Sequence, residues 1–221
     1  GNTIVVKASE QAPAALFKLA ELVDETGFPP GVINILTGFG EPCGRVITSH
    51  AKVARVAFTG GGEVAKHIVR NTAENFAHVS LELGGKSPML IFDDCDIEGA
   101  VNGIIAGNFG ASGQSCVAGS RVFIQKSIHS KILEKIKERA KAIIVGDPLD
   151  KKTQVGPLAT IHQVERAHAV IDRSIKQGAK IIFGGKRPDY LSEGWYFEPT
   201  LLDCPNQAID CVSTELFAPV I

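Results

Sequence analysis

The sequence predicts an α/β protein in which parallel strands are covered by helices. Two observations carry that prediction. Short apolar runs rich in β-branched residues alternate with stretches of helical periodicity from the first residues onward. The same alternation restarts after Gly84-Gly85, so the chain reads as two α/β units with a boundary near that double glycine. No repeat, low-complexity tract or Ser/Gly linker interrupts the pattern.

Thr3–Lys7 reads as the first strand. Leu16, Leu19, Ala20 and Val23 then fall at i, i+3, i+4 and i+7 on one helical face. Gly27 followed by Pro29-Pro30 stops that helix. Val32–Leu36, Val53–Phe58 and Val79–Leu83 read as further strands, and Val64, Ile68 and Val69 suit a helix between the last two. In the second unit Met89–Phe92 reads as a strand and Ile97–Asn108 as a helix rich in Gly and Ala that must pack closely. Arg121–Gln125 is the next strand. Ile132, Leu133, Ile136, Ala140 and Ile143 form an amphipathic helix ended by Gly146-Asp147-Pro148. A last helix over Ile161–Gln177 stops at Gly178, and Lys180–Phe183 follows as a strand. Strand–helix–strand alternation of this kind favours parallel pairing, because a crossover helix covers the sheet.

Composition narrows the function classes. The 221 residues carry 23 Lys and Arg against 24 Asp and Glu, a formal net charge of −1. That balance lacks the basic excess of a nucleic-acid or anionic-membrane binder. At 44% hydrophobic and 21% charged residues the chain has the make-up of a folded domain. No apolar run approaches the roughly 20 residues of a membrane span, and GNTIVVK lacks the regions of a signal peptide. Cys43, Cys95, Cys116, Cys204 and Cys211 are odd in number and scattered, so a reducing cytoplasm is expected rather than a disulfide framework. The chain has no initiator Met and ends on Phe217-Ala218-Pro219-Val220-Ile221, which reads as the middle of an element, so a fragment is expected.

Several places could hold a phosphate or a ribose. Gly38-Phe39-Gly40-Glu41-Pro42-Cys43-Gly44 is one residue longer than the dinucleotide fingerprint, and by itself reads as a structural turn. Thr59-Gly60-Gly61-Gly62-Glu63-Val64 lies where a strand ends and a helix begins. Its glycines would let a phosphate reach free N–H groups at the positive end of the helix dipole, although a flexible connector would look the same. Lys7 and Glu10 follow the C-terminal end of the first strand, where open α/β sheets bind ligands. Lys7 could donate to ribose hydroxyls and Glu10 accept from them. Taken singly, each is an ordinary surface charge.

Two residues stand apart chemically. Cys116 is framed by small and polar residues in Phe109-Gly110-Ala111-Ser112-Gly113-Gln114-Ser115-Cys116-Val117-Ala118-Gly119, which leave room for a substrate and supply backbone N–H groups. A partly ionised cysteine is intrinsically nucleophilic near neutral pH, whereas the other four thiols read as core filling. Glu82 interrupts the apolar strand Val79–Leu83 just before two glycines. A carboxylate partly desolvated there would suit a general base, while a solvent-facing position on an alternating strand fits equally. His67, His78, His129, His162 and His168 read as solvated or structural, and no pair has metal-ligand spacing.

Together these pieces resemble the aldehyde dehydrogenase superfamily over essentially the whole chain. Leu81-Glu82-Leu83-Gly84-Gly85-Lys86-Ser87-Pro88 is similar to its glutamate signature, and Gly113-Gln114-Ser115-Cys116 to its cysteine signature, 34 positions from Glu82 to Cys116. Lys7-Ala8-Ser9-Glu10 resembles the cofactor-ribose motif, Phe58–Val64 the loop opening the pyrophosphate helix, and Glu215-Leu216-Phe217-Ala218-Pro219-Val220 the late motif at the nicotinamide ribose.

The resemblance implies a Rossmann-like cofactor domain over 1–84 and an α/β catalytic domain over 85–221, both incomplete. It implies Cys116 as nucleophile and Glu82 as base, with an aldehyde oxidised through a thiohemiacetal and a thioester. It implies cofactor contacts at Lys7, Glu10, Phe58, Gly60, Gly61, Leu83, Glu215 and Phe217. Glu10 would repel a 2′-phosphate, which favours NAD over NADP. The partners implied are a small aldehyde and, for the longer parent protein, further copies of itself. Ala8 stands in place of the family's proline, Gly61-Gly62 in place of Ser-Thr, and Ala218 in place of a glycine. The family's asparagine oxyanion donor falls upstream of Gly1, and the segment completing the catalytic domain falls beyond Ile221. The alternatives are a coenzyme-A-acylating aldehyde dehydrogenase, which the presence of Glu82 weighs against, and a truncated, non-catalytic nucleotide-binding relative.

Overall fold

A computed structural model describes residues 1–221. The chain divides into two compact units, Gly1–Leu83 and Gly84–Ile221.

In the first unit β1 (Ile4–Lys7) pairs in parallel with β2 (Ile33–Leu36), joined by α1 (Ala14–Glu25). The tight turn Gly40–Gly44 leads into α2 (Arg45–Ser49). A second parallel pair follows, β3 (Arg55–Gly60) with β4 (His78–Leu83), connected by α3 (Gly62–Thr72). The helix–strand alternation thus forms as expected, but the buried core here is small: Ala8, Val56, Ala65 and Ile68. No residue of α1 is buried; Leu16, Ala20 and Val23 are half-buried, and Leu19 of the expected inner face is exposed.

β3 starts two residues later than the apolar run predicts and extends into Gly60, because the register sets Thr59 against Glu82 and Gly60 against Leu83. Pairing to β4 outweighs the poor strand propensity of glycine. The Gly38–Gly44 segment is a turn, and Gly38 at φ +154° brings Cys43 so close that a Cβ there would lie 2.7 Å from that of Cys43.

The second unit is better filled. β5 (Pro88–Ile91) pairs in parallel with β6 (Arg121–Ile124). α4 (Ile97–Phe109) is capped by Asp96, whose carboxylate accepts from the N–H groups of Glu98 and Gly99. α4 and α5 (His129–Lys141) bury Val101, Ile104, Ile132 and Ile136 against Ile91 and Leu201. Their outer faces are tied where Glu98 accepts from Lys135, at 2.5 Å, and from Arg139.

α6 (Ile161–Lys176) begins with a capping box formed by Thr160 and Gln163 and buries Val164, Ala167, Val170 and Ile171. β7 (Lys180–Phe183) pairs with β8 (Leu201–Asp203), and this pair is antiparallel. The short α7 (Asp210–Ser213) packs on α6. α2, β8 and α7, too short to show a period in sequence, are additions to the predicted set. No helix is long and apolar enough to cross a membrane.

Candidate active site

The first unit gathers its candidate residues at the C-terminal ends of its strands. Lys7, the last residue of β1, donates through Nζ to the carbonyls of Ala8 at 2.7 Å and Gly38 at 2.9 Å, and to Glu10 Oε2 at 3.2 Å. A hydrogen bond at the Glu10 backbone, reinforced by the Lys7 ammonium, holds the Glu10 carboxyl below the usual carboxylate range. The two charges predicted separately from sequence therefore form one pair.

Phe58, Gly60 and Gly61 lie at the end of β3, with Glu82 and Leu83 at the end of β4 beside them. The Phe58 ring covers Gly60, where a Cβ would lie 2.6 Å from Phe58 Cζ. Gly61 is the N-cap of α3 in extended conformation, and no side chain caps the helix. Cβ atoms at Gly61 and Gly62 would meet nothing within 4 Å. N–H groups that no side chain caps, at glycines with room beside them, fit the phosphates of a dinucleotide. Glu82 is exposed, as is Leu83.

The second unit builds a loop around Cys116. After α4 the chain takes three consecutive left-handed residues, Ala111 (φ +49°), Ser112 (φ +55°) and Gly113 (φ +69°). Two of them are not glycine, so the conformation is held against its local preference by the surroundings. The holding contacts are visible. Buried Ser112 donates through Oγ to the Gly156 carbonyl at 3.0 Å. Gln114 Oε1 accepts from the Ala159 N–H at 3.0 Å and from Gln163 Nε2 at 3.2 Å, and Gln163 Nε2 also reaches the Phe217 carbonyl at 3.3 Å. At Gly113 a Cβ would lie 2.3–2.4 Å from the backbone of Ala218 and Pro219, so only glycine fits there.

Cys116 itself is exposed, and its N–H is not taken by any carbonyl or side chain of the protein. A nucleophile with an adjacent free N–H has the parts needed to attack a carbonyl and receive the charge that forms on oxygen. The Gly84-Gly85 pair brings Glu215 to the same loop. Gly85 N–H donates to Glu215 Oε1 at 3.1 Å, and a Cβ at Gly84 would overlap that carboxylate. A Cβ at Gly85 would lie 3.5 Å from the Cys116 carbonyl. Phe217 follows, exposed, at φ +53°. A small cavity between these strips is lined by Gly85, Lys86, Asn108, Ser115, Glu215 and Phe217, among others.

Sequence reasoning did not single out Gln114, Gln163, Ser112 or Lys86. For Gln163 a signal existed, since Thr160-x-x-Gln163 is a capping-box pattern. Nothing local marks its second task of joining Gln114 to Phe217.

A model of the aldehyde dehydrogenase family matches residues 1–221. The chain belongs to the aldehyde dehydrogenase family. Among characterised family members, it is 54% identical to (Z)-2-((N-methylformamido)methylene)-5-hydroxybutyrolactone dehydrogenase of Acinetobacter baylyi, covering 100% of this chain and 45% of that protein. It is 39% identical to betaine aldehyde dehydrogenase of Rhizobium leguminosarum bv. trifolii, again over 100% of this chain and 45% of the relative. The crystal structure of betaine aldehyde dehydrogenase from Staphylococcus aureus in complex with NAD+ superposes with a TM-score of 0.96 at 40% identity, over 99% of this chain and 44% of that one. PnpE in complex with nicotinamide adenine dinucleotide gives 0.97, also at 40% identity, over 100% and 46%. The chain thus spans less than half the length of these aldehyde dehydrogenases.

Proposed function

We propose that this chain is the nucleophile-bearing part of an NAD-dependent aldehyde dehydrogenase that oxidises an aldehyde to a carboxylic acid. The observation that carries the reading is the exposed Cys116 with its free N–H, on a left-handed loop held by Ser112, Gln114 and Gly113. Such a loop fixes where the sulfur and the donor stand before substrate arrives, which is how a site lowers a barrier without reorganising.

On this reading the Cys116 thiolate attacks the aldehyde carbon and forms a thiohemiacetal. The negative charge gathers on the former carbonyl oxygen, where the Cys116 N–H donates to it. When bound, NAD+ supplies the hydride acceptor, and the chain is left carrying a Cys116 thioester. Glu82 removes a proton from the water that hydrolyses this thioester, and the carboxylic acid leaves with Cys116 restored. Residues 1–84 serve as the cofactor part and 85–221 as the catalytic part.

Lys7 and Glu10 hold the adenosine ribose, and the Glu10 carboxylate disfavours a 2′-phosphate. Gly60, Gly61 and the uncapped start of α3 receive the pyrophosphate, with Phe58 and Leu83 beside them. Glu215 and Phe217 hold the nicotinamide ribose and ring. The longer protein works in the cytoplasm as a homo-oligomer, and the five free thiols suit such a reducing compartment.

The test is a rapid-mixing assay of the full-length protein with NAD+ and a panel of aldehydes that includes betaine aldehyde. A burst of NADH followed by slower turnover is expected. Cys116→Ala should abolish both phases, and Glu82→Gln should keep the burst while slowing turnover by about 10²–10⁴-fold. Wild-type turnover in Cys116→Ser overturns the nucleophile assignment. Turnover that requires an added thiol such as coenzyme A moves the protein to the acylating reaction.

A further inference from the structure

Outside the Cys116 loop the second unit holds one other pair of reactive groups in contact. Cys204 and Cys211 face each other with their sulfurs 3.5 Å apart, and no other two thiols lie within hydrogen-bonding distance. We propose that Cys204 and Cys211 are a redox-active dithiol, closed to a reversible disulfide by hydroperoxides.

The two cysteines are carried by separately anchored elements. Cys204 directly follows β8, which is paired to β7. Cys211 lies in α7, and its N–H donates to the Oγ of fully buried Ser174 at 2.9 Å. α7 is fixed to α6 again through Asp210, which accepts from Arg173 at 2.6 Å and from Gln177 at 2.7 Å. Between the cysteines, residues 205–208 are exposed. This loop is free to follow the sulfurs as they close to the roughly 2.05 Å of a disulfide, while the two anchors keep them facing.

Both thiols also line a groove of about 500 Å³, whose walls include Lys86, Asn206 and Gln207. Ionisation favours the reaction at Cys211. The hydrogen bond from Cys204 outweighs burial and, helped by the Lys86 ammonium, pulls the Cys211 thiol below its usual range. The same hydrogen bond, with burial, pushes Cys204 up, so it stays the proton-bearing partner. A thiolate beside a protonated thiol is the arrangement that a resolving pair needs.

The chemistry balances. The Cys211 thiolate attacks one peroxide oxygen; an S–O bond forms, the O–O bond breaks, and hydroxide or alkoxide leaves and takes up a proton. The sulfur of Cys204 then attacks the Cys211 sulfenic acid, forming the S–S bond and breaking the S–O bond. Water leaves with the Cys204 proton. Two thiols are oxidised and one peroxide is reduced to water or an alcohol. Nothing in these steps depends on Cys116, Glu82 or a bound cofactor.

The experiment is peptide mapping of the folded full-length protein after treatment with one equivalent of hydrogen peroxide at pH 7 and alkylation of the remaining thiols. The expected product is a linkage of the peptides bearing Cys204 and Cys211, with the loss of two hydrogens, reversed by dithiothreitol. Lys86→Met should slow its formation roughly three- to tenfold by raising the thiol's pKa. In Cys211→Ser the Cys204 thiol should remain alkylatable. Recovery of both cysteines alkylated in the wild type, while Cys116 is oxidised, overturns the proposal. So does oxidation of Cys204 at the wild-type rate in Cys211→Ser.

Discussion

Lys86 carries an ammonium that the fold treats poorly. Burial lowers its pKa from 10.5 to about 8, against the opposing pull of Cys211, Cys204 and Glu215, and its Nζ finds only the Ser120 carbonyl at 3.4 Å. A lysine whose folded pKa is depressed burdens the native state most where both states are protonated, which is below about pH 8. Between about 8 and 10.5 the unfolded chain binds the extra proton, so stability rises with pH across that window. Lys86→Met should therefore be more stable than the parent at pH 7 by about 1–3 kcal/mol, with the gain fading toward pH 10.5. Urea unfolding at a series of pH values checks this, and a pH-independent difference contradicts it. Gly113 carries the opposite sensitivity. Gly113→Ala puts a methyl group against the Ala218–Pro219 backbone at φ +69° and should cost about 2–4 kcal/mol, measured as a shift in the urea midpoint.

Among the elements, the start of α6 joins folding to the site. Thr160 and Gln163 cap the helix reciprocally, and the same Gln163 amide reaches Gln114 and Phe217. Thr160→Ala should remove about 1 kcal/mol of stability with little effect on the thiol loop. Gln163→Ala should cost a similar amount and also loosen the loop, seen as faster alkylation of Cys116 by iodoacetamide. The elements legible in sequence are those long enough to repeat a period. The apolar residues of α5 and α6 show it, and the strand read over Lys180–Phe183 forms with those bounds. α2, β8 and α7 span three to five residues each and owe their form to the neighbours they pack on. Cys116 stood out because its small neighbours are adjacent in sequence. Gln163 and the Cys204–Cys211 pair did not, because their meaning lies in contacts across the fold; Cys204 and Cys211 read as filler although their sulfurs touch.

Over the whole molecule, burial is distributed unevenly between the two units. The second holds three apolar clusters, with Val101, Ile104, Ile132, Ile136 and Ala167 fully enclosed. The first leaves Phe17, Leu22, Phe28, Phe39 and Phe76 exposed around its small core. Segments with little buried apolar contact open most readily. In the 221-residue chain, amides of β1 and β2 should exchange with deuterium at least about tenfold faster than those of α4 and α5. Equal protection in the two units contradicts this.

The left-handed loop before Cys116 also has a consequence in time. Its shape depends on Ala218 and Pro219 against Gly113, and on Phe217 through Gln163. Those residues leave the ribosome about a hundred residues after the thiol itself, an interval of roughly 5–20 s at ordinary elongation rates. Throughout that interval the nascent chain carries a cysteine without the frame that aims it. The loop around Cys116 thus acquires its geometry well after the thiol itself is made, once Phe217, Ala218 and Pro219 have joined it.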